Sequence, residues 1–351
     1  WNVEIDSSNL VTDQQRSGRC WLFASLNLLR HDVERDFKIK DFELSETYNY
    51  FFDKLEKANA FLEFAWKYRD EPISSRENDK FTEPQGDGGE FWEAAKLVDK
   101  YGVVPKTVMP DSKNTSNSSS LNRILTRILR RGGIKIREIS DLDKMRTEKS
   151  KILADVYRVL SITLGEPPQK FNWSYRDNKK RIHKFSGSPL DFAKQFDIAN
   201  VSQKYVMLRD TPTLDYGKIY CNRDDDVLVG DRGPWLNIEF AKFRPLILNQ
   251  LRKKEGVVVY IVSGRDITST NQGVMDPQAY DFANLFGVNF DISRENRKRS
   301  HENTEDHAVL IIGADAPHGV ARWYKIENSW GDKIGDKGFW AMSSAWADEY
   351  M

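Results

Sequence analysis

The chain is poor in cysteine, has no long apolar run and carries no excess of either charge. Its 351 residues include two cysteines, Cys20 and Cys221, too few for a disulfide framework or a cysteine-rich zinc site. The longest apolar stretches, 256–262 and 308–313, fall far short of the roughly 18 residues that a membrane-spanning helix needs. Basic and acidic residues number 53 each, so no global field draws nucleic acid or anionic membrane. No His-Glu-x-x-His run or paired Cys/His spacing offers a metal site, and no cofactor is expected. No charged-then-apolar leader is expected. The four Asn-x-Ser/Thr sequons, at Asn114, Asn117, Asn172 and Asn200, are what chance yields in a chain this long. The expectation is a soluble protein of a reducing compartment, the cytoplasm.

What is present is apolar and aromatic content. At 39% hydrophobic and 12% aromatic, with 10 Trp, the chain is not disordered and can bury a sizeable core. Residues 20–29 are apolar nearly all round at helical spacing, which predicts a helix buried in that core. Ser17-Gly18 just ahead offers a cap and a flexible turn. Further helices are expected at 45–57 and 90–100, with a tight Gly86-Asp87-Gly88-Gly89 loop between them. The polar run 111–120 reads as a linker. A helical section follows, keeping a 3–4 residue rhythm from Leu142 to Leu160 until Gly165-Glu-Pro-Pro168 stops it. From about 225 the texture becomes β-rich, with short runs at 257–262, 308–312, 322–327 and 338–342, and with loop and helix at 280–299. This order predicts an α+β protein in three parts: 1–120 helical, 121–225 a helical insertion, 226–351 β-rich.

Cys20 opens the first helix, where backbone N–H groups and the helix dipole favour a thiolate. A cysteine at that place also suits a small buried hydrophobe. Cys221, in Ile-Tyr-Cys-Asn-Arg, has no such setting and reads as inert. A thiol nucleophile needs a base. Of the five histidines, His31, His183, His301 and His318 have charged or loop neighbours and read as solvated surface. His307 directly precedes Ala-Val-Leu-Ile-Ile-Gly, a buried-strand pattern that would hold its ring, although a core histidine bonded to backbone fits too. Asn328, 21 residues on, ends a run that a Pro317-His-Gly319 turn would pair with the His307 strand. Its amide oxygen could fix the imidazole, with Trp330 as cover, as in Cys-His-Asn peptidases; a plain turn residue is the other reading.

Three segments together resemble the papain-like cysteine peptidases: Gln14-Gln-Arg-Ser-Gly-Arg-Cys20-Trp21, Asp-His307-Ala-Val and Asn328-Ser-Trp-Gly. The finer resemblance is to the bleomycin hydrolase / aminopeptidase C branch. It is carried by Ser17-Gly-Arg-Cys-Trp-Leu-Phe, by Asp87-Gly88-Gly89 with Lys100-Tyr-Gly-Val-Val-Pro105-Lys, and by Leu164-Gly-Glu-Pro-Pro168 leading to Trp173-Ser-Tyr-Arg-Asp177. It runs from about residue 12 to the end. Cys20 and His307 lie 287 residues apart, against about 130–150 in ordinary papain-like enzymes. Well over a hundred residues have therefore been added, and 121–215 is the candidate for much of them.

The resemblance implies a two-part papain-like fold with the Cys helix in one half and His and Asn in the other. Cys20 is then the nucleophile, His307 its protonated partner, Asn328 the residue that orients His307, and Gln14 an oxyanion donor, with Gln15 as the neighbouring alternative. Gly88 and Gly89 would bind substrate backbone. The implied activity is aminopeptidase action on short peptides, the implied assembly a homohexameric barrel with internal sites. In that branch a C-terminal arm fills the cleft, and a longer natural chain bearing it is expected beyond Met351. Without it the cleft would be open to an endopeptidase. The remaining alternative is a nucleic-acid-binding ring, prompted by Lys179-Lys180-Arg181, Arg252-Lys253-Lys254 and Arg297-Lys298-Arg299.

Overall fold

A computed structural model describes residues 1–6, 8, 10–72, 74–221, 233–263, 268–269, 271–290, 292–300 and 306–351. The helix Cys20–Phe37 runs through the interior, with its first half mostly apolar and thirteen of its residues buried. It packs on the helix Phe91–Tyr101 on one side and on the strand His307–Asp315 on the other. Ser45 caps the helix Glu46–Lys67 by accepting from the Tyr48 N–H, as a serine just ahead of an apolar run should. Glu90 and Glu93 form a reciprocal capping box on Phe91–Tyr101, and Gly102 at φ 77° ends it.

The β-rich part is built on His307–Asp315, which is buried along almost its whole length. It pairs antiparallel with Val257–Ile261 on one side and with Trp323–Glu327 on the other, and Phe339–Ser343 continues the sheet. Residues 323–327 thus return from the Pro317–Gly319 turn as the 21-residue spacing predicts, with Leu310 opposite Glu327. Val3–Glu4, at the start of the chain, joins the sheet beside Ala314 and Gly313.

Two expectations need correction. The run 111–120 is not a linker. Ser112 caps a helical turn at Lys113–Ser116, Thr115 and Ser118 are buried, and the segment packs against the turn before Cys20. Polar residues can be buried where each finds a partner, and here the Thr115 carbonyl accepts from Arg19. Nor is 121–225 helical throughout. Ser119–Arg137 and Leu142–Leu164 do pack on Glu46–Lys67. After them comes a hairpin, Phe171–Arg176 with Ile182–Gly187, and then a small three-stranded sheet. Phe-Asn-Trp-Ser-Tyr-Arg alternates with period two, the strand signature. One continuous hydrophobic core includes Trp21, Leu125 and Leu310, and so members of all three parts.

Candidate active site

Arg19 is the residue that begins the Cys20 helix, and no side chain caps that end. Ser17, expected to cap, instead donates to the Gln14 carbonyl and accepts from Arg19 Nε. The first N–H groups of the helix are therefore left for whatever sits at Cys20. Arg19 itself is fully buried; it bonds the Thr115 carbonyl at 2.9 Å and faces Asp111 at 3.6 Å. That anchor fixes the turn from which Cys20 projects.

Cys20 lines a cavity of about 470 Å³ together with Gln14, Gly18, Trp21, Gly88, Gly89, His307 and Trp330. Across it, His307 Nε2 lies 2.8 Å from Asn328 Oδ1. The same Oδ1 accepts the Ser329 N–H at 2.8 Å, so two N–H groups converge on it and identify it as the oxygen. The His307 proton must then sit on Nε2, and Nδ1 is left unprotonated as a base. Trp330 stacks on the ring with centroids 4.5 Å apart, covering the bond to Asn328. His307 is 4% exposed and Asn328 2%.

Burial pushes the Cys20 thiol up, against the opposing pull of the Ala308, Trp21 and Cys20 backbone N–H groups, and Asp306 adds to the rise. Burial pushes His307 down, with Asn328 and Asp306 pulling the other way. Burial thus opposes a charge on each of the two groups, while the helix-start N–H groups and Asn328 favour one. Transfer of one proton between the two leaves the cavity's net charge unchanged.

The two glutamines separate cleanly. Gln14 is buried in the cavity wall; its Oε1 accepts from Ser329 Oγ at 2.7 Å and its Nε2 donates to the Ser17 carbonyl at 2.6 Å. One amide hydrogen of Gln14 remains for another acceptor. Gln15 is exposed, at φ 55°, and bonded to Asp13. Gly88 meets nothing where a Cβ would stand, whereas a Cβ on Gly89 would come within 2.7 Å of the Trp21 ring. Both glycines also line a larger cleft of about 1340 Å³ that continues past Tyr260.

Several residues at the site carried little signal in the sequence. Asp306, beside His307, accepts the Ser263 N–H at 2.6 Å. The Tyr260 hydroxyl oxygen accepts the Phe91 N–H at 2.5 Å, bridging the helical and β-rich sides of the cavity; the apolar run at 257–262 is the one cue to it. His31 is a correction. It is 3% exposed, bonded to Glu327 at 2.6 Å and facing Glu34 at 3.5 Å, so it is an internal ion-pair member and not surface. His183 is half-buried on Tyr175 and bonds Asp177, His318 lies in a turn, and His301 falls outside the described residues. Cys221 is exposed. Among the described residues no group of three or more His, Cys, Asp or Glu could hold a metal, and no helix is long and apolar enough to cross a membrane.

This arrangement has counterparts. The Peptidase C1-like family model matches residues 1–351. The chain belongs to that family. It is 37% identical to Aminopeptidase C of Lactobacillus delbrueckii subsp. lactis, covering 100% of this chain and 80% of the relative. Aminopeptidase E of Lactobacillus helveticus is 35% identical, with 100% and 81% covered. Among solved structures, PepW of Lactobacillus rhamnosis superposes with a TM-score of 0.96 at 35% identity, over 100% of this chain and 80% of that one. The fold is the papain-like α+β arrangement.

Proposed function

We propose that this member of the Peptidase C1-like family is a cysteine aminopeptidase, removing residues from the N-terminus of short peptides through an acyl-enzyme on Cys20. The observation that carries the reading is the meeting, in one cavity, of the helix-start thiol, an imidazole held in one tautomer by Asn328, and the Gln14 amide. Cys20 passes its proton to His307 Nδ1 and attacks the scissile carbonyl. The oxyanion is taken by the Cys20 N–H and the spare hydrogen of Gln14, a contribution of about 2.7–4 kcal/mol per donor. His307 then protonates the leaving amine, and water, deprotonated by His307, releases the acyl group. Gly88 and Gly89 hold extended substrate backbone. The relatives named aminopeptidases support the exo mode. The test gives the full-length protein a free peptide and its N-acetylated twin and reads products by mass spectrometry. The free peptide should be shortened one residue at a time and the acetylated one spared. Internal cleavage of both at equal rates would replace the reading with an endopeptidase.

For the division into parts, we read 121–225 as an insertion that carries contacts within a homo-oligomer, a hexamer with internal sites. Its support is the branched apolar side chains that it leaves exposed: Ile124, Ile134, Ile162, Ile182, Val206 and Ile219. Light scattering on the full-length protein should give a hexamer, and Ile162→Asp a smaller species; a monomeric wild type ends the reading. Free thiols at Cys20 and Cys221 suit a reducing cytoplasm. The basic clusters lend little to nucleic-acid binding: Arg181 pairs with Asp177, Lys254 with the Glu4 carbonyl and Asp6, and Arg297 with Glu349.

A further inference from the structure

Behind the cavity lies a set of buried charges that the reaction above does not use. Asp87, between the glycines of the 86–89 loop, accepts at its side chain from donors on three other parts of the chain. The Gly18 N–H reaches Oδ2 at 3.1 Å, Tyr50 and Asn122 reach Oδ1 at 2.7 and 2.8 Å, and Ser118 also bonds Oδ2. The Lys54 ammonium, 0% exposed at its side chain, lies 2.8 Å from Oδ1. The backbone of the loop is held from the same side. Trp21 Nε1 donates to the Asp87 carbonyl at 2.7 Å, Lys54 to that of Gly86 at 2.7 Å, and Lys57 to that of Gly88 at 2.5 Å. Gly18 has no room for a side chain: a Cβ would stand 2.9 Å from Asp87 Cβ.

Tight glycine turns do not need such an anchor. A plain turn would satisfy its carbonyls in water, whereas here three successive ones are bonded by two buried lysines and a tryptophan. Burying these charges is costly unless every one is paired. The arrangement joins the two segments on either side of the peptide path: the turn leading into Cys20, and the loop whose Gly88 and Gly89 face the cleft. We propose that Asp87 is a positioning residue that clamps the glycine loop to the Gly18 turn, fixing the backbone groups that grip an extended peptide relative to the nucleophile. The proposal rests on the reading of Gly88 and Gly89 as substrate-binding. Asp87 acts through those two segments and touches no reacting atom. Burial opposes its charge, and Lys54 with the Ser118 and Tyr50 hydroxyls outweighs that, which holds the carboxyl well below the usual carboxylate range.

The test measures two reactions of Cys20 in the full-length protein. Iodoacetamide needs the thiol and His307 alone, whereas a peptidyl epoxide must also be gripped by the glycine loop. Asp87→Asn should lower the peptidyl epoxide inactivation rate and raise KM for peptides by about 10²-fold, with iodoacetamide alkylation within about twofold of wild type. Because Asp87→Asn leaves Lys54 buried without its counter-charge, the paired variant Asp87→Asn with Lys54→Met is measured beside it and should give the same split. Equal losses in both reactions, or a lowered Tm with both rates unchanged, would overturn the clamp. Gly88→Ala, whose Cβ meets nothing within the protein itself, separates the underlying reading. If Gly88→Ala spares peptide reactivity, the loop does not bind substrate; if it lowers reactivity and the Asp87 variants do not, the clamp alone fails.

Discussion

Iodoacetamide should label Cys20 far faster than Cys221, and Cys20→Ala should lower kcat/KM by about 10⁴–10⁶-fold, as loss of a nucleophile does elsewhere. The labelling order is informative because exposure argues for the opposite result. Cys221 is exposed and Cys20 only partly so, so accessibility alone would have Cys221 react first. Burial also raises the Cys20 thiol. What reverses the order is the local chemistry: uncapped N–H groups at the helix start, the Ala308 N–H, and an imidazole whose unprotonated nitrogen can accept the thiol proton. Mapping the alkylated peptide by mass spectrometry and comparing peptide cleavage before and after labelling checks both halves. Equal labelling of the two cysteines, or cleavage surviving in Cys20→Ala, would remove Cys20 from the reaction.

The residues that were legible in the sequence are those whose signal is local or arithmetic. Cys20 is announced by the apolar helix it opens, and Gln14 by the resemblance of the segment that leads to Cys20. His307 and Asn328 follow from a buried strand and a turn that let a hairpin pair. The Gly88-Gly89 loop is visible as composition. Residues whose role depends on distant partners were not legible. His31 looks like a helix-surface residue among Arg30, Asp32 and Glu34, and its partner Glu327 is 296 positions away. The run 111–120 has the composition of a linker, and becomes structural because Arg19 and Asp87 reach it from elsewhere in the chain. Asp87 looks like a turn residue among glycines until the lysines of another helix arrive behind it. The hairpin at 171–187 is a different case. Its period-two alternation is present in the sequence, but the helical rhythm just before it carries the helical expectation across the whole insertion.

Glu327 is the residue whose loss should cost the most stability. Its carboxylate, 2% exposed, accepts from Arg30 and from His31, both on the Cys20 helix, while Asn328 follows directly on the strand. The pair thus ties the helix carrying the nucleophile to the strand end carrying the residue that holds His307. Glu327→Gln keeps the shape and strands two buried cations, which should cost about 3–5 kcal/mol, read as a fall in the urea midpoint. The pH dependence has a definite sign. For His31, burial opposes the charge but Glu327 and then Glu34 outweigh it, so its folded value is raised. Its contribution is complete below the ordinary value of about 6.5 and disappears as pH climbs through the raised one. For Glu327 and Glu34, burial is outweighed by Arg30 and His31, and both are lowered. Their contribution is complete above about 4.3 and disappears as pH falls through the lowered values. The stability gap between wild type and Glu327→Gln should therefore be widest from about pH 4.3 to 6.5 and narrow on both sides. A gap below about 1 kcal/mol, the size of a surface pair, or one that fails to narrow on either side of that range, would mean that the buried pair does not hold the two halves together.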